Sequence, residues 1–181
     1  MLKNKRLILM LLLVFAATPA WADFNEGVVA YMMGQYDKAY NTMRSLAETA
    51  DNAYAQYYLG MMYLNGQGVD QDYTKASEWF RKSAKHHVPQ AQYKLGTLYF
   101  NGQGVPRDFE RAYAWYRVAA VLNHQKSIEA LPKARENLSK EELKSAEKLS
   151  LEYIDKYGPK KEKAGGPKMT NNPSGAAPAG Q

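Results

Sequence analysis

Ala55-Gln56-Tyr57-Tyr58-Leu59-Gly60-Met61-Met62-Tyr63-Leu64-Asn65-Gly66-Gln67-Gly68-Val69 returns 36 residues later as Ala91-Gln92-Tyr93-Lys94-Leu95-Gly96-Thr97-Leu98-Tyr99-Phe100-Asn101-Gly102-Gln103-Gly104-Val105. The register continues without a gap through Asp72/Asp108, Ala76/Ala112, Trp79/Trp115 and Ala84/Ala120, and more than half of the aligned positions are identical. A fixed period of this size is the signature of a solenoid, in which each unit buries its apolar face against the next.

One period reads as two antiparallel helices. Ala55, Leu59 and Tyr63 step by four, as do Ala91, Leu95 and Tyr99, which places each trio on one helical face. Gly60 and Gly96 fall mid-helix, where glycine costs about 1 kcal/mol relative to alanine. Close approach of a neighbouring helix is the expected reason. Asn65-Gly66 and Asn101-Gly102 stop the first helix with a residue suited to the left-handed conformation. Asp72 and Asp108 fit as N-caps of the second. In that helix Ala76, Trp79/Phe80 and Ser83/Ala84 repeat the three-and-four spacing, as do Ala112, Trp115/Tyr116 and Ala119/Ala120. The small residues let the pair approach, and the tryptophans are expected to fill the gap between helices.

These residues resemble the Sel1-like repeat family, whose helix pairs are related to the tetratricopeptide. The pattern occurs twice, over 53–88 and 89–124. The resemblance implies an all-α fold, a right-handed α-α superhelix closed by a C-terminal capping helix. Upstream, over 23–52, Gly27, Gly34-Gln35-Tyr36-Asp37-Lys38-Ala39 and Met43 look like a degenerate tetratricopeptide unit with a shorter inter-helix loop. Downstream, over 125–158, the periodicity fades. Ser127 to Asn137 reads as one more first helix, but Pro132 falls where the glycine stood and predicts a kink or an altered cap. Ser139-Lys140-Glu141-Glu142 is a capping box. Lys140 to Tyr157 reads as the terminal helix, ended by Gly158-Pro159. The stretch 159–181, rich in Pro, Gly, Ala, Asn and Lys, is expected to be disordered.

The N-terminus carries a different kind of signal. Lys3, Lys5 and Arg6 precede an apolar run from Leu7 to Ala17, and Ala20-Trp21-Ala22 supplies small residues in the A-x-A arrangement. That is the layout of a secretory signal peptide over 1–22, with cleavage expected after Ala22. The run is shorter than the roughly 20 residues a membrane span needs. Nothing later in the chain is long and apolar enough to cross a bilayer, so the mature product is expected to be soluble and periplasmic or secreted. The chain contains no cysteine, which excludes disulfide staples and thiolate metal sites.

Charge is unevenly placed. The formal net charge is +6, but Lys3, Lys5 and Arg6 leave with the leader, and Lys160, Lys161, Lys163 and Lys168 outweigh Glu162 in the tail. Between Asp23 and Tyr157 basic and acidic residues balance. A nucleic-acid-binding domain carries its basic patch on the fold, so the high pI predicts no nucleic-acid partner.

Little points to catalysis. Gly66-x-Gly68 and Gly102-x-Gly104 lack the third glycine and preceding strand of a dinucleotide site, and the Walker lysine is missing. His86 and His87 are adjacent and do not share a helical face as a zinc pair does. Asn137-Leu138-Ser139 matches a glycosylation sequon, but Ser139 already has a capping role. No catalytic, cofactor or metal residue is assigned, and no cofactor is expected.

The aromatic content is more informative, with 14 tyrosines. Tyr63, Tyr99 and Tyr116 hold repeat positions and read as core. By resemblance to tetratricopeptide-like folds, the first helix of each pair lines the concave surface. Tyr54, Tyr57, Met61 and Leu64 would then face a groove in one repeat, and Tyr93, Thr97 and Phe100 in the next. For Tyr57 and Tyr93, burial against the adjacent repeat stands as an equal reading. Aromatics and methionine are enriched at interface cores. The resemblance implies an adaptor, and the leading expectation is a non-enzymatic envelope scaffold that holds a peptide or protein segment in this groove. The rivals are an enzyme or binder acting on cell-wall peptidoglycan and a secreted factor acting on another cell.

Overall fold

The computed structural model describes residues 20–159, with side chains described from 23 onward. The expected leader lies outside that range except for Ala20–Ala22, and the expected disordered tail lies outside it except for Pro159. Among the described residues there are eight helices and no strand. They are α1 (Ala20–Met32), α2 (Tyr36–Thr49), α3 (Ala53–Asn65), α4 (Tyr73–Lys85), α5 (Pro89–Asn101), α6 (Phe109–Val121), α7 (Gln125–Glu136) and α8 (Lys140–Tyr157). From α1 to α7 each helix packs on the next along the chain, so α1–α2, α3–α4 and α5–α6 form successive pairs. None of the helices is long and apolar enough to cross a membrane.

The helix ends follow from local chemistry. Asp72 Oδ1 accepts the Lys75 N–H at 2.9 Å and Asp108 Oδ1 accepts the Arg111 N–H at 2.8 Å, each satisfying a donor that the first helical turn leaves free. Gly66 and Gly102 end α3 and α5 at φ 66° and 69°, the left-handed region that a Cβ disfavours. Between pairs the chain turns through Asp51, His87 and Asn123, at φ 47°, 61° and 61°. These three positions are one period apart. They carry the residue types that tolerate positive φ best after glycine.

The mid-helix glycines have the packing reason the sequence demanded. A Cβ on Gly60 would lie 2.6 Å from the Phe80 ring, and one on Gly96 would lie 2.8 Å from the Tyr116 ring. Gly27 stands in the same relation to Met43, at 2.8 Å. The ring between the helices of a pair is therefore Phe80 or Tyr116, and not the preceding tryptophan. Phe80 is fully buried. Trp79 is only half-buried, with Lys82 Nζ over its ring at 3.8 Å. The second loop glycines bind one pair to the previous one. A Cβ on Gly68 would meet the Tyr36 carbonyl oxygen at 2.7 Å, and Gly104 lies still closer to the Tyr73 backbone. Each inter-helix loop thus rests on the start of the preceding second helix.

The C-terminal end departs from the regular stack. α7 continues through Pro132 as a helix, and the altered cap is at Asn137, which ends it at φ −91° instead of in the left-handed region. α8 begins at the expected capping box: Ser139 Oγ accepts the Glu142 N–H at 3.2 Å, and Glu142 Oε2 accepts the Ser139 N–H at 2.8 Å. It then packs chiefly on α6 and touches α4, instead of pairing with α7. Ala146 and Ser150 are fully buried, which lets α8 approach closely. Trp115 stacks on Tyr157 at 5.3 Å and lies 4.7 Å from Tyr153. Gln92 Nε2 donates to the carbonyls of Tyr157 at 2.8 Å and Ala84 at 3.2 Å, tying the end of α8 to α4 and α5.

Candidate functional site

The seven candidate groove residues occupy two equivalent first helices. Tyr57, Met61 and Leu64 lie on one stripe of α3, and Tyr93, Thr97 and Phe100 occupy the same positions one period later on α5. All six are half-buried. Tyr57, Met61, Leu64, Tyr93 and Phe100 pack against the same central core cluster. Tyr57 lies 5.9 Å from the Phe80 ring and Tyr93 lies 5.6 Å from the Tyr116 ring, so both support their own pair. Tyr93 also lies 5.1 Å from His124 in the next turn. Phe100 sits 5.2 Å from Phe109, with Lys133 Nζ over it at 5.4 Å. The Thr97 hydroxyl donates to the Tyr93 carbonyl at 3.0 Å and accepts from the Tyr116 hydroxyl at 3.3 Å.

Tyr54 stands apart from these six. It is 50% exposed and is drawn toward α1, with its ring 6.4 Å from Phe24. Phe24 in turn lies 6.1 Å from Tyr58, Tyr58 lies 5.2 Å from Tyr31, and Tyr57 lies 5.7 Å from Tyr58. Phe24, Tyr31, Tyr54, Tyr57 and Tyr58 therefore form a continuous aromatic belt across the first helices α1 and α3. Phe24, Tyr31 and Tyr58 were not singled out by the repeat. Lys94 stands at the position of Tyr58 one period later, so the alignment carries no trace of the belt. The available signal was the seven-residue spacing of Phe24 and Tyr31, which puts both on one face of α1. Beside the belt, Val29, Met32 and Met33 are exposed, the two methionines by 79% and 70%.

Burial shapes the ionisable groups. Desolvation raises the Tyr57 hydroxyl above the ordinary phenol value. Tyr63 is pushed up to about 12, by burial first and then by the hydrogen bond it shares with Tyr40 at 2.9 Å. Burial, and then the neighbouring Lys126, lower Lys94 and likewise lower the His124 imidazole. These shifts favour neutral forms on a surface that mixes apolar and polar contacts. Among the described residues, no group of three or more His, Asp or Glu side chains is placed to hold a metal ion.

The Sel1 repeat family matches residues 53–87 and 89–124. Among solved structures, the chain is similar to a protective antigen present in uropathogenic Escherichia coli strains and displaying an SLR fold, at 32% identity and a TM-score of 0.74. That match covers 78% of this chain and 31% of the antigen, so this chain spans under a third of the antigen's length. It is also similar to a Sel1 repeat protein from Oxalobacter formigenes, at 34% identity and a TM-score of 0.57, over 63% of this chain and 88% of that one. No curated protein matches it.

Proposed function

The chain belongs to the Sel1 repeat family, and from that premise we propose that it is a non-enzymatic scaffold of the bacterial envelope. In this reading it holds a peptide or protein segment against the aromatic face of its first helices. Sel1 repeats are in general protein-interaction modules, which supports the coarse part of the reading. The observation that carries the finer part is the aromatic belt of α1 and α3, continued on α5 by the Tyr93–Thr97–Phe100 stripe. Half-buried aromatics on a rigid scaffold lose little conformational freedom on binding, which suits them to be anchors. The signal-like N-terminus supports an envelope location, and so does the likeness to a protective antigen.

Co-purification from the envelope tests this reading. Tyr54→Ser and Met61→Ser, each checked first for unchanged helix content, are expected to abolish recovery of the principal partner. Truncating a central anchor costs more than about 2 kcal/mol, or well over tenfold in affinity. Deleting residues 159–181 is expected to leave the partner in place, because a few lysines give only screened attraction. The reverse pattern would move the site to the tail and reduce the helical array to a carrier.

A further inference from the structure

We propose that a second site, on the opposite helices from the aromatic belt, binds an acidic peptide segment in the cleft between α4, α6 and α8. The cleft has a volume of about 430 Å³, and Arg81, Lys85, Tyr99, Arg111, Tyr153 and Tyr157 line it. Its three cations come from two second helices, and no carboxylate lines it. That concentration stands out in a folded region whose charges balance as a whole.

The cations are positioned in advance. The Arg81 Nη2 donates to the Tyr99 hydroxyl at 3.1 Å, while the Arg111 guanidinium lies over the face of the same ring at 5.6 Å. One tyrosine therefore holds two guanidinium groups, one at its hydroxyl and one at its face. Asp108 is the acid paired with Arg111, and it lines the adjoining pocket together with Glu110 and Glu142. Its Oδ1 is occupied in capping α6, and its Oδ2 lies 3.5 Å from the Arg111 Nε. Among the described residues, Arg81 and Lys85 form no ion pair.

The ligand class follows from these groups. Forked guanidinium donors match a carboxylate in bidentate geometry. The faces of Tyr153 and Tyr157, backed by the buried Trp115, suit an apolar side chain next to the acid. A nucleic acid would need a basic stripe along a whole face, because its affinity grows with the number of phosphates neutralised. Three cations around one cleft fit a short segment with one or two carboxylates. The preceding repeat carries part of the same design, with Lys75 over Tyr63 at 5.4 Å and 3.5 Å from Asp72. It has no α8 to close it, so only the second repeat forms the cleft.

Titration of the full chain with fluorescein-labelled hexaglutamate tests the site. The proposal expects binding that weakens with added salt and falls about tenfold in Arg81→Gln or Lys85→Gln, the loss of one charge-assisted contact. Both side chains are exposed, and the helix content of each variant is checked by circular dichroism. Lys148→Gln, on α8 and outside the cleft, is expected to bind as the parent does. Absence of binding, or equal affinity in all three variants, would overturn the proposal. Displacement by inorganic phosphate at concentrations as low as the peptide's own would overturn the peptide assignment in favour of a phosphate-bearing ligand. Loss of binding in Tyr54→Ser would place hexaglutamate on the first-helix face, and would also overturn the assignment to the cleft.

Discussion

Gly60 lies under the Phe80 ring and Gly96 under the Tyr116 ring, each too close for a methyl group. Gly60→Ala or Gly96→Ala forces a buried ring or a backbone to shift. Either is expected to cost about 1–3 kcal/mol in urea unfolding, the usual range for overpacking. The glycines were legible in the sequence as close-approach positions, but their partners were not. The repeat put Trp79 and Trp115 in register and gave no local reason to prefer the residue after each. The structure also separates the two tryptophans. Trp115 is 5% exposed because α8 stacks two tyrosines on it, whereas Trp79 is only half-buried, packed against the cluster of Met43, Leu46 and Leu59 with Lys82 over its ring. Trp115→Ala is therefore expected to destabilise by about 3–5 kcal/mol, and Trp79→Ala by clearly less, with chemical denaturation as the readout. Equal costs would mean that α8 does not cover Trp115 in solution.

At the scale of the helix, the ends were the most legible features. Asp72, Asp108 and Ser139 cap as their side-chain chemistry requires, and Gly66 and Gly102 stop their helices. α7 was harder to read, because Pro132 carries an expectation of disruption. Pro132 is exposed, so the hydrogen bond its missing N–H forgoes is on the solvent side of the helix. The turn before α7 makes a pH-dependent prediction. Burial, then Lys126, hold the His124 imidazole below its ordinary value. Below about pH 6.5 the unfolded chain takes up a proton that the folded state resists. Stability from this residue is thus fully present above that pH and is lost as pH falls toward the folded value. Thermal unfolding followed by circular dichroism is expected to show a larger drop in Tm between neutral and mildly acidic buffer for the parent than for His124→Gln. An identical drop in both would remove His124 from the account.

For the whole molecule, the period alone decided the fold class, because two long, gapless copies admit few architectures other than a stacked array. The position of α8 did not follow from the period. A regular array would pair it with α7, but its small residues Ala146 and Ser150 and its Tyr153 and Tyr157 fit the surface of α6 better. The candidate groove was legible only in part. Its α3 and α5 stripes are visible at 36-residue spacing, whereas Tyr58 breaks the repeat, and Phe24 and Tyr31 lie in the degenerate upstream unit and join it only when α1 and α3 are brought together. The central claim is that this first-helix face holds the partner. A photo-crosslinking phenylalanine analogue placed at Tyr54 or at Tyr93 in cells tests it most directly, with Asn41, exposed on α2, as the comparison position. The account predicts the same crosslinked species from Tyr54 and Tyr93 and none from Asn41. Adducts from Asn41 with none from either tyrosine position would contradict it.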